Sequence, residues 1–500
     1  MVYIINDMPT LKDLIATLKI RFPNQDLTMV QLAYDYAAEA HQGQKRANGE
    51  PYINHCVACA MNLTTMHVDL STITAGLLHD VPEETTRTVE DIKREFGAEV
   101  GSLIEGITKI GKLKYRGMER YVENLRKMFL ALSKDIRVVL IKFADRIHNL
   151  ETLDALPAEK QRRIALESME IFAPIAHRLG MWEVKGKLED LSFKHISPDE
   201  YAWASHLMAA TSPTKEKSLD RVMKKLEQIL KAQSNLTVHS VQGRAKHLYS
   251  LYRKLLRHDR DISQVYDLIA VRIVVETVAQ CYVVMGLIHG LWKPLRGRIK
   301  DYVAQPKPNG YQSLHTTVFV GPGEIVEFQI RTRDMDQECN YGVAAHWFYD
   351  EHHKPKGGVR LNAKDKRYHW VNELIKLQHE VKDTTEYLES IKIDVFPDSI
   401  FVFTPNGDVI SLPDGATPVD FAYHIHSDLG MQCTAAKINN KIMPLATNLK
   451  SGDVVEIISD KRRRAPARDW LDFVKTRSAR DHIRQGLNRS SRLLGIFRRG

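Results

Sequence analysis

The hydrophobic period of this chain changes once, near Leu236, and that change limits the folds open to it. Before it, apolar residues recur at helical spacing, and no strand signal occurs through about residue 195. Residues 28–40 read as a helix with Leu32, Tyr36, Ala37 and Ala40 on one face. A second helix starts at Asn54, and Ser71 is placed to cap a third that runs to His79-Asp80. Thr88 with Asp91 makes a capping-box pattern for TVEDIKREF, which Gly97 should close. From Leu236 the reading is mixed α/β: LTVHSVQGR, YDLIAVRIVVE, LHTTVFV and EIVEFQIRT as strands, KHLYSLYRKLLRH and VAQCYVVMGLIHGLW as helices.

The length, 500 residues, suggests about three domains. No apolar run is long enough to span a membrane, and the start has no signal-peptide pattern, so a cytoplasmic protein is expected. Five thinly spread cysteines argue against a disulfide framework, and Cys56 with Cys59 reads as core packing. The net charge of +9 is confined to one end: residues 461–500 hold 13 Lys/Arg against 3 Asp/Glu, leaving 58 against 59 elsewhere. A polyanionic partner is expected at that end, not along the body.

Two stretches carry chemistry. In DIRVVLIKFADRIHNLETL, Asp145, Asn149 and Thr152 share one helical face while Ile136, Val139, Leu140, Phe143 and Ile147 turn to a core. With His55 and His79-Asp80, that makes two imidazoles and two carboxylates, a set suited to Mn²⁺ or Zn²⁺; singly, each pair would read as a polar helix end. Between Arg296 and Val318, Arg296, Arg298, Lys300 and Lys307 crowd a turn at Pro306–Gly310, followed by Tyr311, Gln312, Ser313 and His315. Such cations suit several phosphates, and Tyr311 offers a face for a base whose edge Asn309 and Gln312 could read. A basic hairpin with a core tyrosine would use the same residues. Asp267 and Glu327, each at a strand, would suit Mg²⁺-dependent transfer if a sheet brought them together.

The motifs HQGQKR, YINH, LLHDVPEET, LIKFADRIHNLETL and RGRIKDY…PKPNGYQSLHTT resemble the RelA/SpoT family of long stringent-response enzymes. The resemblance implies an HD-type hydrolase, a nucleotidyltransferase-like synthetase and a TGS domain. In the hydrolase it implies Mn²⁺ on His55, His79, Asp80 and Asp145, acid/base carboxylates at Glu83 and Glu84, and nucleotide contacts from Arg46, Asn149 and Thr152. In the synthetase, Arg244, Lys246, Lys254 and Arg272 match positions that hold ATP. Arg298 and Lys300 belong to the basic RxKD form associated with bifunctional members. Lys307, Asn309, Tyr311, Gln312 and His315 match the pocket for GDP or GTP. Asp267 would hold Mg²⁺, and Glu327 would act as base or second metal contact. The chain departs from the family pattern at Cys56, Ala47-Asn48, Pro82, Glu84, Asp336, Cys339-Asn340 and Met431-Gln432.

The expected fold is therefore multidomain. It has an all-α hydrolase domain (1–195), a helical connector (196–235), an α/β synthetase domain (236–349), a linker and helix (350–390), a β-grasp TGS domain (391–458) and a basic start of a truncated helical domain (459–500). The implied activity transfers pyrophosphate from ATP to GDP or GTP, giving guanosine tetra- or pentaphosphate, and also hydrolyses that product. The ribosome and tRNA are implied partners of the TGS domain and tail. Two rivals are a chain with only one working activity, mainly hydrolysis, and a non-catalytic RNA- or ribosome-binding regulator.

Overall fold

The structure, a computed structural model, describes residues 9–111, 126–342 and 399–487, apart from short stretches among them that include 246, 263–268 and 307–310. It divides into two compact units, one from residues 1–108 and 134–367, the other from 109–133 and 368–500. The expected linker and helix over 350–390 lies outside the described residues.

The first unit begins with α1 (Leu11–Arg21), α2 (Thr28–Ala40), α3 (Ile53–Thr64), α4 (Leu70–Leu78), α5 (Val81–Glu84), α6 (Val89–Gly111) and α7 (Ile136–Glu151). Helix α3 packs on both α4 and α7. The anticipated apolar stripe of α7, from Ile136 to Ile147, is buried as its spacing required. Helix α2 has the expected bounds but a different buried face: Val30, Ala33 and Ala37 are inside, while Leu32 lies exposed. The cap of α4 is Asp69, whose carboxylate accepts the Thr72 amide at 2.7 Å; Ser71 instead donates to Glu99. The capping box of Thr88 and Asp91 forms as read. Gly97, at φ +87° and ψ 171°, breaks the helical backbone as expected, so α6 is two helical segments that meet there at a kink.

More helices follow: α8 (Ala158–Glu167), a π-helical turn (Ser168–Phe172), α9 (Ala173–Arg178), α10 (Trp182–Ile196) and α11 (Pro198–Lys231). Next come β1 (Val238–Ala245), α12 (Leu248–Arg257), β2 (Ile269–Val275), α13 (Val278–Leu291), β3 (Pro294–Asp301), β4 (Leu314–Gly321), β5 (Glu324–Thr332) and α14 (Arg333–Tyr341). The five strands form one mixed sheet in the order β1-β2-β5-β4-β3, in which only β2 and β5 run parallel.

One sheet face is apolar. Val271, Ile273, Phe328, Ile330, Leu314 and Val318 pack with Cys281, Val284 and Ile288 of α13. Strand alternation sends the polar residues to the other face. There the register sets Arg272, Gln329, His315 and Lys300 in one row across β2, β5, β4 and β3. Glu327 and Arg331 flank Gln329 along β5 on the same face. The basic stretch read from the sequence as phosphate-binding is thus itself an edge strand, β3.

The second unit contains a hairpin of β6 (Ser399–Phe403) and β7 (Val409–Pro413), then α15 (Pro418–Ile425) and α16 (Ser427–Gln432). A sheet ordered β10-β8-β9 follows, from β8 (Cys433–Ile438), β9 (Lys441–Met443) and β10 (Val455–Ser459), and then the short helix α17 (Trp470–Phe473). Residues read as the start of a separate helical domain lie in this unit's core: Trp470, Val474, Ala479 and Ile483 pack with Val419, Ala422, Tyr423 and Cys433. Asp420, fully buried, accepts the Lys475 and Thr476 amides, the latter at 2.7 Å. Among the described residues no helix is long and apolar enough to cross a membrane.

Candidate active sites

The helical half brings four residues from three sequence regions to one point. The Nε2 atoms of His55 and His79 lie 3.2 Å apart, and each is 3.2 Å from a different oxygen of Asp80. Asp145 Oδ1 approaches the same two nitrogens at 3.4 and 3.8 Å. His55 comes from α3, His79 and Asp80 from the junction of α4 and α5, and Asp145 from α7. His55, His79 and Asp80 make the compact set that could hold a metal ion, and Asp145 closes a fourth side. Mutual separations of this size match donor atoms placed about 2 Å from a shared divalent ion. The donor set also fits chemically: His79 Nδ1 is spent on the Gly76 carbonyl at 2.8 Å, which leaves Nε2 aimed into the cluster.

Burial alone would raise the carboxyls of Asp80 and Asp145. The imidazoles beside them, and Lys142 beside Asp145, hold both well below the ordinary carboxylate range. The His79 imidazole is pushed up despite its burial, because Asp80 and Asp145 favour its charged form. A cation would compete with that proton for the same nitrogen.

The remaining expected hydrolase residues are distributed unevenly. Arg46 Nη2 donates to Asn149 Oδ1 at 2.6 Å, and Asn149 Nδ2 donates to Asp145 Oδ1 at 2.5 Å, so both join the cluster. Glu83 Oε1 is buried without a hydrogen-bond partner among the described residues, and burial pushes its carboxyl above the ordinary glutamate value against the pull of Lys142. Glu84 is exposed. Thr152 donates back to the His148 carbonyl at 3.0 Å.

Three neighbours escaped the sequence reading. Lys142 Nζ lies 3.3 Å from Asp145 Oδ2; burial opposes its charge, but Asp145, Asp80 and Glu83 keep its pKa above normal. Tyr52 donates its hydroxyl to Asp80 Oδ2 at 2.8 Å. His148 faces His55 across 2.7 Å. Spacing held the signal for two of them, since Lys142 and His148 each stand one turn from Asp145 on the same helix.

On the polar sheet face, Glu327 Oε1 accepts from His315 Nδ1 at 2.8 Å, and His315 Nε2 accepts the Tyr311 hydroxyl at 2.7 Å. Tyr311, pushed up to about 12 by burial, meets Trp182, Tyr302 and His315 edge to face. Arg331, fully buried and absent from the sequence reading, donates to Gln329 at 3.1 Å and reaches Tyr311 at 3.4 Å. Alternation from Glu327 could have found it. Gln312 donates to the Val303 carbonyl at 3.2 Å, bracing the β3–β4 connection. Arg298 and Lys300 are exposed on β3, and Lys254 is half-buried on α12. Lys246, Asp267, Lys307 and Asn309 lie outside the described residues, as does the side chain of Arg244.

The two departures on α14 are engaged with this face. Asp336 Oδ1 lies 3.4 Å from Arg272 Nη1 and 3.5 Å from Arg331 Nη1. Asn340 accepts from Arg272 at 3.2 Å and donates to Asp336 at 3.0 Å. One carboxylate therefore serves two guanidiniums from neighbouring strands, Arg331 fully buried and Arg272 partly so.

Three family models match in order: the HD domain over residues 33–182, the region found in RelA/SpoT proteins over 243–354 and the TGS domain over 400–459. Curated relatives include a GTP pyrophosphokinase of Myxococcus xanthus, 44% identical over 94% of this chain and 62% of that protein. The bifunctional (p)ppGpp synthase/hydrolase SpoT of Escherichia coli is 44% identical over 94% of this chain and 66% of that protein. A guanosine-3′,5′-bis(diphosphate) 3′-pyrophosphohydrolase of Aquifex aeolicus is 44% identical over 93% and 65%. The chain thus spans a little under two thirds of the length of each of these three relatives.

Proposed function

Because this chain belongs to the RelA/SpoT family, with HD, RelA/SpoT and TGS domains in that order, we propose that it is bifunctional. It moves the β,γ-pyrophosphate of ATP to the 3′-hydroxyl of GDP or GTP, and it hydrolyses the guanosine tetra- or pentaphosphate so made. The observation that carries this reading is the convergence of two imidazoles and two carboxylates within 3.2–3.8 Å in the half matched by the HD model.

In hydrolysis, His55, His79, Asp80 and Asp145 would hold a divalent ion, Mn²⁺ by family resemblance, which when bound supplies Lewis acidity at the scissile phosphate. Glu83, with a raised pKa and an unpartnered oxygen, is suited to take the proton of the attacking water and return it to the leaving group. Lys142 places positive charge where the departing pyrophosphate gains negative charge. Arg46, braced by Asn149, would orient the nucleoside.

In synthesis, Glu327 takes the proton of the acceptor hydroxyl, with His315 donating to it to fix its orientation. Arg272 and the cations of β3 hold phosphates, and Asp267 would hold Mg²⁺. The rival reading of a weakened synthetase rests on Asp336 and Asn340, yet both support Arg272, which favours a working site. The TGS domain and the basic tail are read as RNA contacts in a cytoplasmic protein, with the ribosome or tRNA as the implied partner.

Labelled ATP with GDP tests synthesis, and guanosine tetraphosphate with Mn²⁺ tests hydrolysis. Both should turn over. Asp80→Ala or Asp145→Ala should abolish hydrolysis and spare synthesis. Near-parental hydrolysis by either variant would refute the metal assignment, and no turnover in either assay would favour the non-catalytic rival.

A further inference from the structure

His148 is buried and outside the ligand set, yet its Nδ1 lies 2.7 Å from Nδ1 of His55. Two imidazole nitrogens at that distance share one proton: both bare would repel, and two hydrogens would collide. If the proton sits on His148, His55 must carry its own on Nε2, the atom aimed at His79, Asp80 and Asp145. A protonated Nε2 has no lone pair for a cation. If the proton sits on His55 Nδ1, Nε2 is bare and can ligate, and His148 is the acceptor.

We propose that His148 is a positioning residue that selects the metal-ligating tautomer of His55 by accepting its Nδ1–H. This rests on the reading of the cluster as a divalent-cation site. The cost of the arrangement is visible on the far side of the ring. His148 then carries its proton on Nε2, and that buried atom has no hydrogen-bond partner among the described residues. An orphaned buried donor is uncommon and needs a compensating use. Here the compensation is a histidine ligand held in one tautomer, the same service that the Gly76 carbonyl gives His79. A backbone carbonyl can only accept, so it fixes His79 outright. An imidazole can accept only in one of its own tautomers, so the pair must settle together.

The test is Mn²⁺ binding to the whole chain, followed by calorimetry. His148→Leu removes the acceptor at similar bulk and should weaken Mn²⁺ binding tenfold to a hundredfold. His148→Asn keeps an oxygen near the Nδ1 position and should stay within a few-fold of the parent. Synthesis of guanosine tetraphosphate by both variants reports that the chain is folded. Parental Mn²⁺ affinity in His148→Leu would overturn the proposal, as would equal loss in a folded His148→Asn. Absence of Mn²⁺ binding by the parent would instead overturn the cation-site reading beneath it. Should His148→Leu fail to fold, ¹⁵N chemical shifts of the imidazoles in the Zn²⁺-loaded parent decide the matter. A proton on His55 Nδ1 and a bare His148 Nδ1 are expected, and the reverse would overturn the proposal.

Discussion

At the scale of single residues, the histidine–carboxylate cluster places charge where charge is costly. Glu83 is the clearest case: the residue is half-buried, its Oε1 is buried and unpartnered among the described residues, and its pKa is raised. A carboxyl whose folded pKa exceeds its unfolded value favours the folded state below the unfolded pKa, and that benefit is lost as pH rises through the folded value. At neutral pH its ionised form therefore weighs against folding. Glu83→Gln should cripple hydrolysis while leaving thermal stability at pH 7 equal to or above the parent's, as happens when a functional group is held at a cost. A clear fall in melting temperature would contradict this. Lys142 makes the complementary prediction. Lys142→Met removes a charge-assisted contact worth about 1.5–3 kcal/mol, so hydrolysis should drop roughly tenfold to a hundredfold. Synthesis assayed on the same sample should hold.

At the scale of elements, α10 ties the helical half to the segment that follows β1. His247 donates from Nδ1 to Asp190 at 2.8 Å, while Asp190 also accepts the Tyr249 amide at 2.8 Å. Burial opposes the His247 charge, but Asp190 and Glu183 outweigh it and push its pKa up to about 9. The stabilisation is fully present below the unfolded value near 6.5 and disappears as pH rises through about 9. His247→Gln should therefore cost up to about 3 kcal/mol near pH 6 and little near pH 10, read as a melting-temperature gap that closes with pH. A gap that is constant with pH would refute the charged clamp. Gly186 lies beneath the same ring, and a Cβ there would overlap it, so Gly186→Ala should strain the clamp. Such a contact was not legible in the sequence, because Asp190 and His247 stand 57 residues apart and neither carries a motif. What was legible had a period. The stripe of α7 and the β-branched alternation of β2 and β5 could be read directly, and with them the faces bearing Asp145, Arg272 and Glu327. Strand β3 was missed because an edge strand exposed on both sides has no alternation to show. The face of α2 was misjudged because Leu32 is more apolar than Ala33, although Ala33 lies inside.

At the scale of the whole molecule, charge bookkeeping alone made residues 461–500 look like a detachable basic appendage. The packing says otherwise for part of it. Trp470, Val474, Ala479 and Ile483 share the core of the TGS-bearing unit, and Asp420 loses two amide partners if Lys475 and Thr476 are removed. Burying large apolar side chains contributes about 1.5–3 kcal/mol each, so losing Trp470, Val474 and Ile483 costs roughly 5 kcal/mol or more. That rivals the entire stability of a small domain, about 5–15 kcal/mol. Buried Asp420 would keep only the Thr417 amide and hydroxyl as donors, which adds to the loss. Deleting residues 461–500 should therefore unfold or loosen residues 399–459, seen as rapid proteolysis there and loss of their thermal transition. Deleting only 488–500 removes four arginines and none of the core residues named above, and should leave that transition intact while weakening any RNA binding in a salt-dependent way. The residues of both proposed sites belong to the other unit, so synthesis and hydrolysis should stay within a few-fold of the parent after either deletion. An intact TGS transition after the longer deletion would show that the tail's packing is incidental, and a loss of turnover in a folded protein would show that the tail supports catalysis.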